Sequence, residues 1–131
     1  MLVADSSQVR RIQWASMGDS AVIVTPGASG ALLTEPRHHF VGYPMTRQHL
    51  AARLQRGAME LTPDAWVVAV TDGFTNFVGP RNAGRTVAEL VRDAPDAVAA
   101  VHRLVDRAGA MGAGDNVAVA VVRPRFLKGA S

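Results

Sequence analysis

The stretch Ala65-Trp66-Val67-Val68-Ala69-Val70-Thr71-Asp72-Gly73 decides the reading of this chain. From Ala65 to Val70 it is apolar at every position, so no side of it faces water. Such a run is expected as a central strand covered on both faces. The turn residues Leu61-Thr62-Pro63-Asp64 lead into it, and Thr71-Asp72-Gly73 ends it. A second apolar run, Val117–Val122, follows Gly114-Asp115-Asn116 near the other end of the chain. If the two strands lie close and antiparallel, Asp72 and Asp115 emerge at the same edge of the sheet.

That placement gives the two acids a chemical meaning. Each is flanked by a glycine, Gly73 or Gly114, which lets backbone or ligand approach closely. Hard divalent cations take oxygen ligands, and Mg²⁺ often uses one or two carboxylates with waters. A cation would also relieve the repulsion between two neighbouring carboxylates. Asp-Gly and Asp-Asn are equally ordinary turn residues, so spacing alone leaves both readings open. Asp19, in Gly18-Asp19-Ser20, is read as a turn or bulge residue with a locally bonded side chain. Ser20 has no His-and-acid arrangement nearby in sequence and is a poor nucleophile. His38 and His39 are adjacent, so on a strand they would point to opposite faces. With His49 and His102 they read as surface or loop residues.

Working outward, Ile12, Trp14 and Ser16 form one side of a short strand. Ala21–Thr25 is a second strand, rich in β-branched residues. The cluster Pro26–Gly30 then turns it back into Ala31–Thr34, a hairpin. Residues 36–44 read as loop. Thr46 is expected to cap a helix reaching Arg56, with Leu50, Ala51 and Leu54 on one face and Gly57 as its stop. Residues 74–85, with Gly79, Pro80 and Gly84, read as loop. Thr86 and Glu89 form a capping box at the start of a helix ending near Pro95. A further helix follows, lined by Val98, Val101, Leu104 and Val105 and ended by Gly109. The chain closes in a polar tail, 123–131. The resulting order, β-β-β-α-β-α-α-β, predicts an α+β domain of antiparallel sheet with helices packed on it.

Composition excludes several classes. The chain has 131 residues, 48% apolar and 19% charged, which suits a single globular domain spanning 1–131. It has no cysteine, which excludes disulfides, thiolate metal sites and a cysteine nucleophile. The net charge of +3 and pI near 10.5 are basic. The arginines are scattered without interleaved aromatics, Lys128 is the only lysine, and no nucleic-acid footprint results. No run is long enough for a membrane helix, and the first residues lack a basic-then-apolar leader pattern, so a cytoplasmic location is expected.

Four segments in order resemble the metal-dependent protein phosphatases of the 2C type. Trp14–Ala21 is similar to that family's aromatic strand with a Gly-Asp-Ser core, and the hairpin to Thr34 to the strand pair that follows it. Leu61–Asp64 with Val67–Phe74 resembles its strand ending in an Asp-Gly metal motif. Gly114–Val119 resembles its final Asp-Asn strand. The resemblance covers residues 12–123. It implies a sandwich of two antiparallel sheets with helices outside and two Mn²⁺ or Mg²⁺ ions at one end. It further implies hydrolysis of phosphoserine or phosphothreonine in a phosphoprotein substrate, Asp72 and Asp115 as metal ligands, and Asp19 as structural. The family's early arginine, acidic pair and bridging Asp-Gly motif have no counterpart here, and the stretch between Thr34 and Leu61 is short. The expectation is therefore the C-terminal part of such a domain: a phosphatase when completed, or a catalytically inactive remnant serving as a protein-interaction module. Missing strands leave a sheet edge open, which favours pairing with a protein partner or self-association.

Overall fold

The computed structural model describes residues 11–25, 30–35, 37 and 44–124. The chain order is β1 (Arg11–Ser16), β2 (Ala21–Thr25), β3 (Ala31–Leu32), α1 (Arg47–Arg53), β4 (Gln55–Glu60), β5 (Trp66–Val70), α2 (Asp72–Val78), α3 (Ala83–Arg92), α4 (Ala97–Ala110) and β6 (Val119–Val122). A four-stranded antiparallel sheet, β3-β2-β5-β6, forms the middle layer. The antiparallel pair β1-β4 lies over one face, and α2, α3 and α4 cover the other.

β5 is the central strand its apolar run predicts. It pairs with β2 on one side, Ala21 opposite Val70, and with β6 on the other, Val70 opposite Val119. Trp66, Val68 and Val70 point to the helices and meet Ile23, Phe74, Val87, Val91 and Leu104. Val67 points the other way, into a smaller core with Ile12, Val24, Leu61 and Ala65. Each large side chain buried here contributes about 1.5–3 kcal/mol. The hairpin of β2 and β3 has Ile23 opposite Leu32, and it is closed by Thr34. The buried Thr34 hydroxyl accepts from Val22 N at 2.9 Å and donates to Ser20 O at 3.3 Å, standing in for strand partners. The turn at 26–29, the loop residues 36 and 38–43 and the tail from 125 lie outside the described residues.

Four local expectations are corrected. The Thr46 hydroxyl does cap α1, accepting from His49 N at 3.2 Å, but the helix ends at Arg53 and buries no residue. Its expected last turn belongs instead to β4. Gly57 is no helix stop; it sits opposite Trp14, whose indole lies where a side chain would go. Residues 74–85 are largely helical, because Phe74, Thr75 and Val78 form a buried stripe at helical spacing on α2. α3 starts a turn before Thr86, so Thr86 and Glu89 lie inside it and Asn82 flanks its start.

On α4 the buried face is Ala100, Leu104 and Ala108, while Val98 is 65% exposed. Alanines let α4 approach its neighbours closely, and that outweighs the larger valines. The last strand begins at Val119 rather than Val117, because the backbone at 116–118 is engaged by Thr71.

Candidate metal centre

The rim of the sheet is built by main-chain geometry around Thr71. Past the last rung of the β5–β6 ladder, Thr71 N donates to Ala118 O at 3.1 Å. The Thr71 hydroxyl accepts from Ala118 N at 3.0 Å and donates to Asn116 O at 3.3 Å. Three hydrogen bonds thus clamp the end of one strand to the approach of another. Asp72, directly after Thr71, opens α2, where a carboxylate is favoured by the helix dipole. Asp115, directly before Asn116, is carried to the same rim.

The two acids differ in surroundings. Asp72 is half-buried, and Asn76 Nδ2 donates to its Oδ2 at 3.5 Å from the next turn of α2. Asp115 is exposed, and its Oδ1 accepts from the Asn116 backbone N–H at 2.7 Å. Gly73 is buried directly against the Asn116 carbonyl. The antiparallel register delivers the Gly18-Asp19-Ser20 turn to this rim as well, since Ala21 pairs with Val70. Gly18 takes φ 120°, a conformation that suits glycine, and its carbonyl accepts from Arg37 N at 2.8 Å. Ser20, Thr71 and Ala118 border a hollow of about 250 Å³ floored by Ala69, Val70, Val119 and Ala120.

Sequence reasoning missed Thr71 and Asn76. Thr71 reads as a strand end until its hydroxyl is seen bridging 45 and 47 residues of sequence. Asn76 stands four residues after Asp72, a spacing that signals a contact only once the segment is known to be helical. Of the histidines, His49 and His102 are exposed on α1 and α4, and His38 and His39 lie outside the described residues. Arg11, exposed on β1, belongs to the outer layer.

The donor chemistry suits a hard cation, since both acids offer carboxylate oxygens. Among the described residues, however, no group of three or more His, Asp or Glu side chains is placed to hold an ion. Two carboxylates fit part of one Mg²⁺ or Mn²⁺ shell, with waters, and fall short of a two-ion cluster.

No protein-family model and no curated protein matches the sequence. Solved structures do. The S. agalactiae serine/threonine phosphatase superposes with a TM-score of 0.65 at 21% identity, over 86% of this chain and 53% of that one. The Mycobacterium tuberculosis serine/threonine phosphatase PstP/Ppp gives 0.69 at 17% identity, over 96% and 58%. This is the 2C-type phosphatase fold, in part. The catalytic domain of PstP in complex with two manganese ions gives 0.65 at 18% identity, over 92% of this chain and 54% of that one. The chain thus spans a little over half the length of the 2C-type structures it matches.

Proposed function

We propose that this chain is the C-terminal part of a 2C-type protein serine/threonine phosphatase domain, and that Asp72 and Asp115 supply two of the oxygen donors of its Mn²⁺ or Mg²⁺ centre. The observation carrying the reading is the Thr71 clamp, which brings the segments bearing Asp72 and Asp115 to one rim. The likeness to a phosphatase holding two manganese ions supports the choice of metal class. When bound, such ions lower the pKa of a water and clamp phosphoryl oxygens. The chain's own part is to carry the two carboxylates on segments joined by the Thr71 clamp. The remaining carboxylates, including one that bridges, would come from polypeptide outside the described residues. The substrate is a phosphoserine or phosphothreonine protein. A cytoplasmic setting belongs to the same reading, and a chain without cysteine is compatible with it.

The test is Mn²⁺ added to the chain while backbone amides are followed by NMR. Paramagnetic broadening that is strongest at the Thr71–Gly73 and Asp115–Val117 amides and falls off with distance from that rim, and that is abolished in Asp72→Asn and Asp115→Asn, is the expected result. Broadening centred elsewhere, or none, removes the metal role. In a completed domain, Mn²⁺-dependent hydrolysis of an aryl phosphate lost in Asp72→Asn is expected; metal-independent turnover would sink the phosphatase reading.

A second reading is a catalytically inactive relative that acts as an interaction module. It is favoured by the small donor set at the rim. Mn²⁺ binding without turnover in the completed domain would select it.

A further inference from the structure

Each of the two rim acids has one carboxylate oxygen already tied within the chain. Asp115 Oδ1 accepts from the Asn116 backbone N–H at 2.7 Å, and Asp72 Oδ2 accepts from Asn76 Nδ2 at 3.5 Å. The other oxygen of each, Asp72 Oδ1 and Asp115 Oδ2, has no hydrogen-bond partner among the described residues. The pattern is the same at both acids: one oxygen is held and one is left for a ligand.

At Asp72 the tie comes from a side chain. The backbone there is fixed on both sides. The Thr71 clamp holds the residue before it, and Phe74 N and Thr75 N donate to Thr71 O at 3.0 and 3.4 Å as the first turn of α2 closes. The Thr75 hydroxyl donates to the Asp72 carbonyl at 3.4 Å. What stays free is rotation of the carboxylate itself. Asn76, one helical turn further on, is placed to restrict it, because residues four apart share a helix face. Asn76 is exposed and takes no part in the core, so its amide serves the carboxylate and not the packing.

Whether a carboxylate presents one oxygen or two matters to the ion it can hold. Ca²⁺ takes about six to eight oxygens and accepts a carboxylate through both of its own. Mg²⁺ demands near-octahedral geometry at short distance, and the two oxygens of one carboxylate lie too close together to fill two of its corners. We propose that Asn76 is a specificity-determining residue of the rim: by holding Asp72 Oδ2 it keeps Asp72 a one-oxygen donor, which favours Mg²⁺ or Mn²⁺ over Ca²⁺. The Asn116 N–H does the same for Asp115 through the backbone, so only the tie at Asp72 is open to a side-chain substitution. Asn76 acts through Asp72 and is a positioning residue, not a ligand. Its role rests on the metal reading of Asp72 and Asp115.

The test is ion competition on the full chain, with Mn²⁺ as the probe and the Asp72 and Asp115 amides followed by NMR. Mg²⁺ and Ca²⁺ are each titrated against the Mn²⁺ broadening, and the ratio of their affinities is compared between the parent and Asn76→Ala. The parent is expected to favour Mg²⁺. Asn76→Ala is expected to shift the ratio toward Ca²⁺ by about threefold, the scale of one long hydrogen bond. Its thermal melt should match the parent, since the position is exposed. A purely structural effect would lower both affinities together. An unchanged ratio therefore overturns the proposal and leaves the metal reading standing, and a parent that favours Ca²⁺ overturns it too. No rim broadening in the parent removes the metal reading itself, and the role of Asn76 with it.

Discussion

The main-chain carbonyl of Asn116 rests directly on Gly73, and the contact leaves no space for a side chain at that glycine. Gly73→Ala would overlap that oxygen, so either α2 or the 115–117 segment must move. We expect a loss of about 2 kcal/mol in urea denaturation, at the upper part of the range for single substitutions. The amide shifts of Asp115 and Asn116 should move with it, whereas Gly114→Ala, which meets only the far end of Phe77 at 3.9 Å, should be mild.

Thr71 supports the same rim through its hydroxyl. Thr71→Val keeps the shape but strips Ala118 N of its acceptor. The expected cost is about 1–2 kcal/mol, the usual penalty for orphaning a backbone donor. Thr71→Ser keeps the oxygen and should restore most of the loss. Equal stability of the valine and serine variants in chemical denaturation would contradict the clamp.

Thr25 offers the opposite sign. It is buried, pairs across the sheet with Trp66, and its hydroxyl has no hydrogen-bond partner among the described residues. Thr25→Val removes an unsatisfied polar atom at nearly constant volume. A gain of about 1 kcal/mol and a raised Tm are expected.

Gly57 and Trp14 face each other across β1 and β4, and a β-carbon on Gly57 would lie 2.6 Å from the indole. Gly57→Ala should displace the ring and cost about 1–2 kcal/mol by overpacking. Fluorescence of a Trp66→Phe background, in which Trp14 is the only indole, should shift on the same substitution.

One carboxylate carries a pH signature. A hydrogen bond from the Thr62 side chain, then one from its own backbone, holds Asp64 below the ordinary aspartate range, and slight desolvation opposes them. A depressed folded pKa stabilises the fold above the unfolded value and loses that contribution as pH falls through the folded one. Thr62→Ala should raise the Asp64 pKa toward its ordinary value in an NMR titration and remove that acid-side dependence.

The parts of the fold legible in the sequence were those whose signal is local and redundant. Val67, Val68 and Val70 announce a doubly covered strand without help from any neighbour, and the β-branched run Ala21–Thr25 announces a strand. A shared edge for Asp72 and Asp115 was legible only on the condition that the two strands lie adjacent and antiparallel, and the β5–β6 pairing meets that condition. β4 was not. Its inward side is Gln55, Gly57 and Met59, and the period of two is hidden because the indole that fills the middle position comes from Trp14 on another strand. α2 was obscured by Gly79 and Pro80 at its end, though Phe74 and Val78 carried its period. The buried face of α4 ran along alanines, which hydrophobicity ranks below the exposed Val98 and Val105. Close packing, not side-chain size, set the rotation of that helix, and packing partners cannot be read from one segment.

The latch formed by Thr71 has an evolutionary corollary. A hydroxyl and peptide groups hold the two segments together, so the three bonds of the clamp do not involve the side chain of either acid. Replacing Asp72 or Asp115 leaves that latch in place. A lineage carrying this arrangement can change either acid by one base and still persist as a folded shape available for other work.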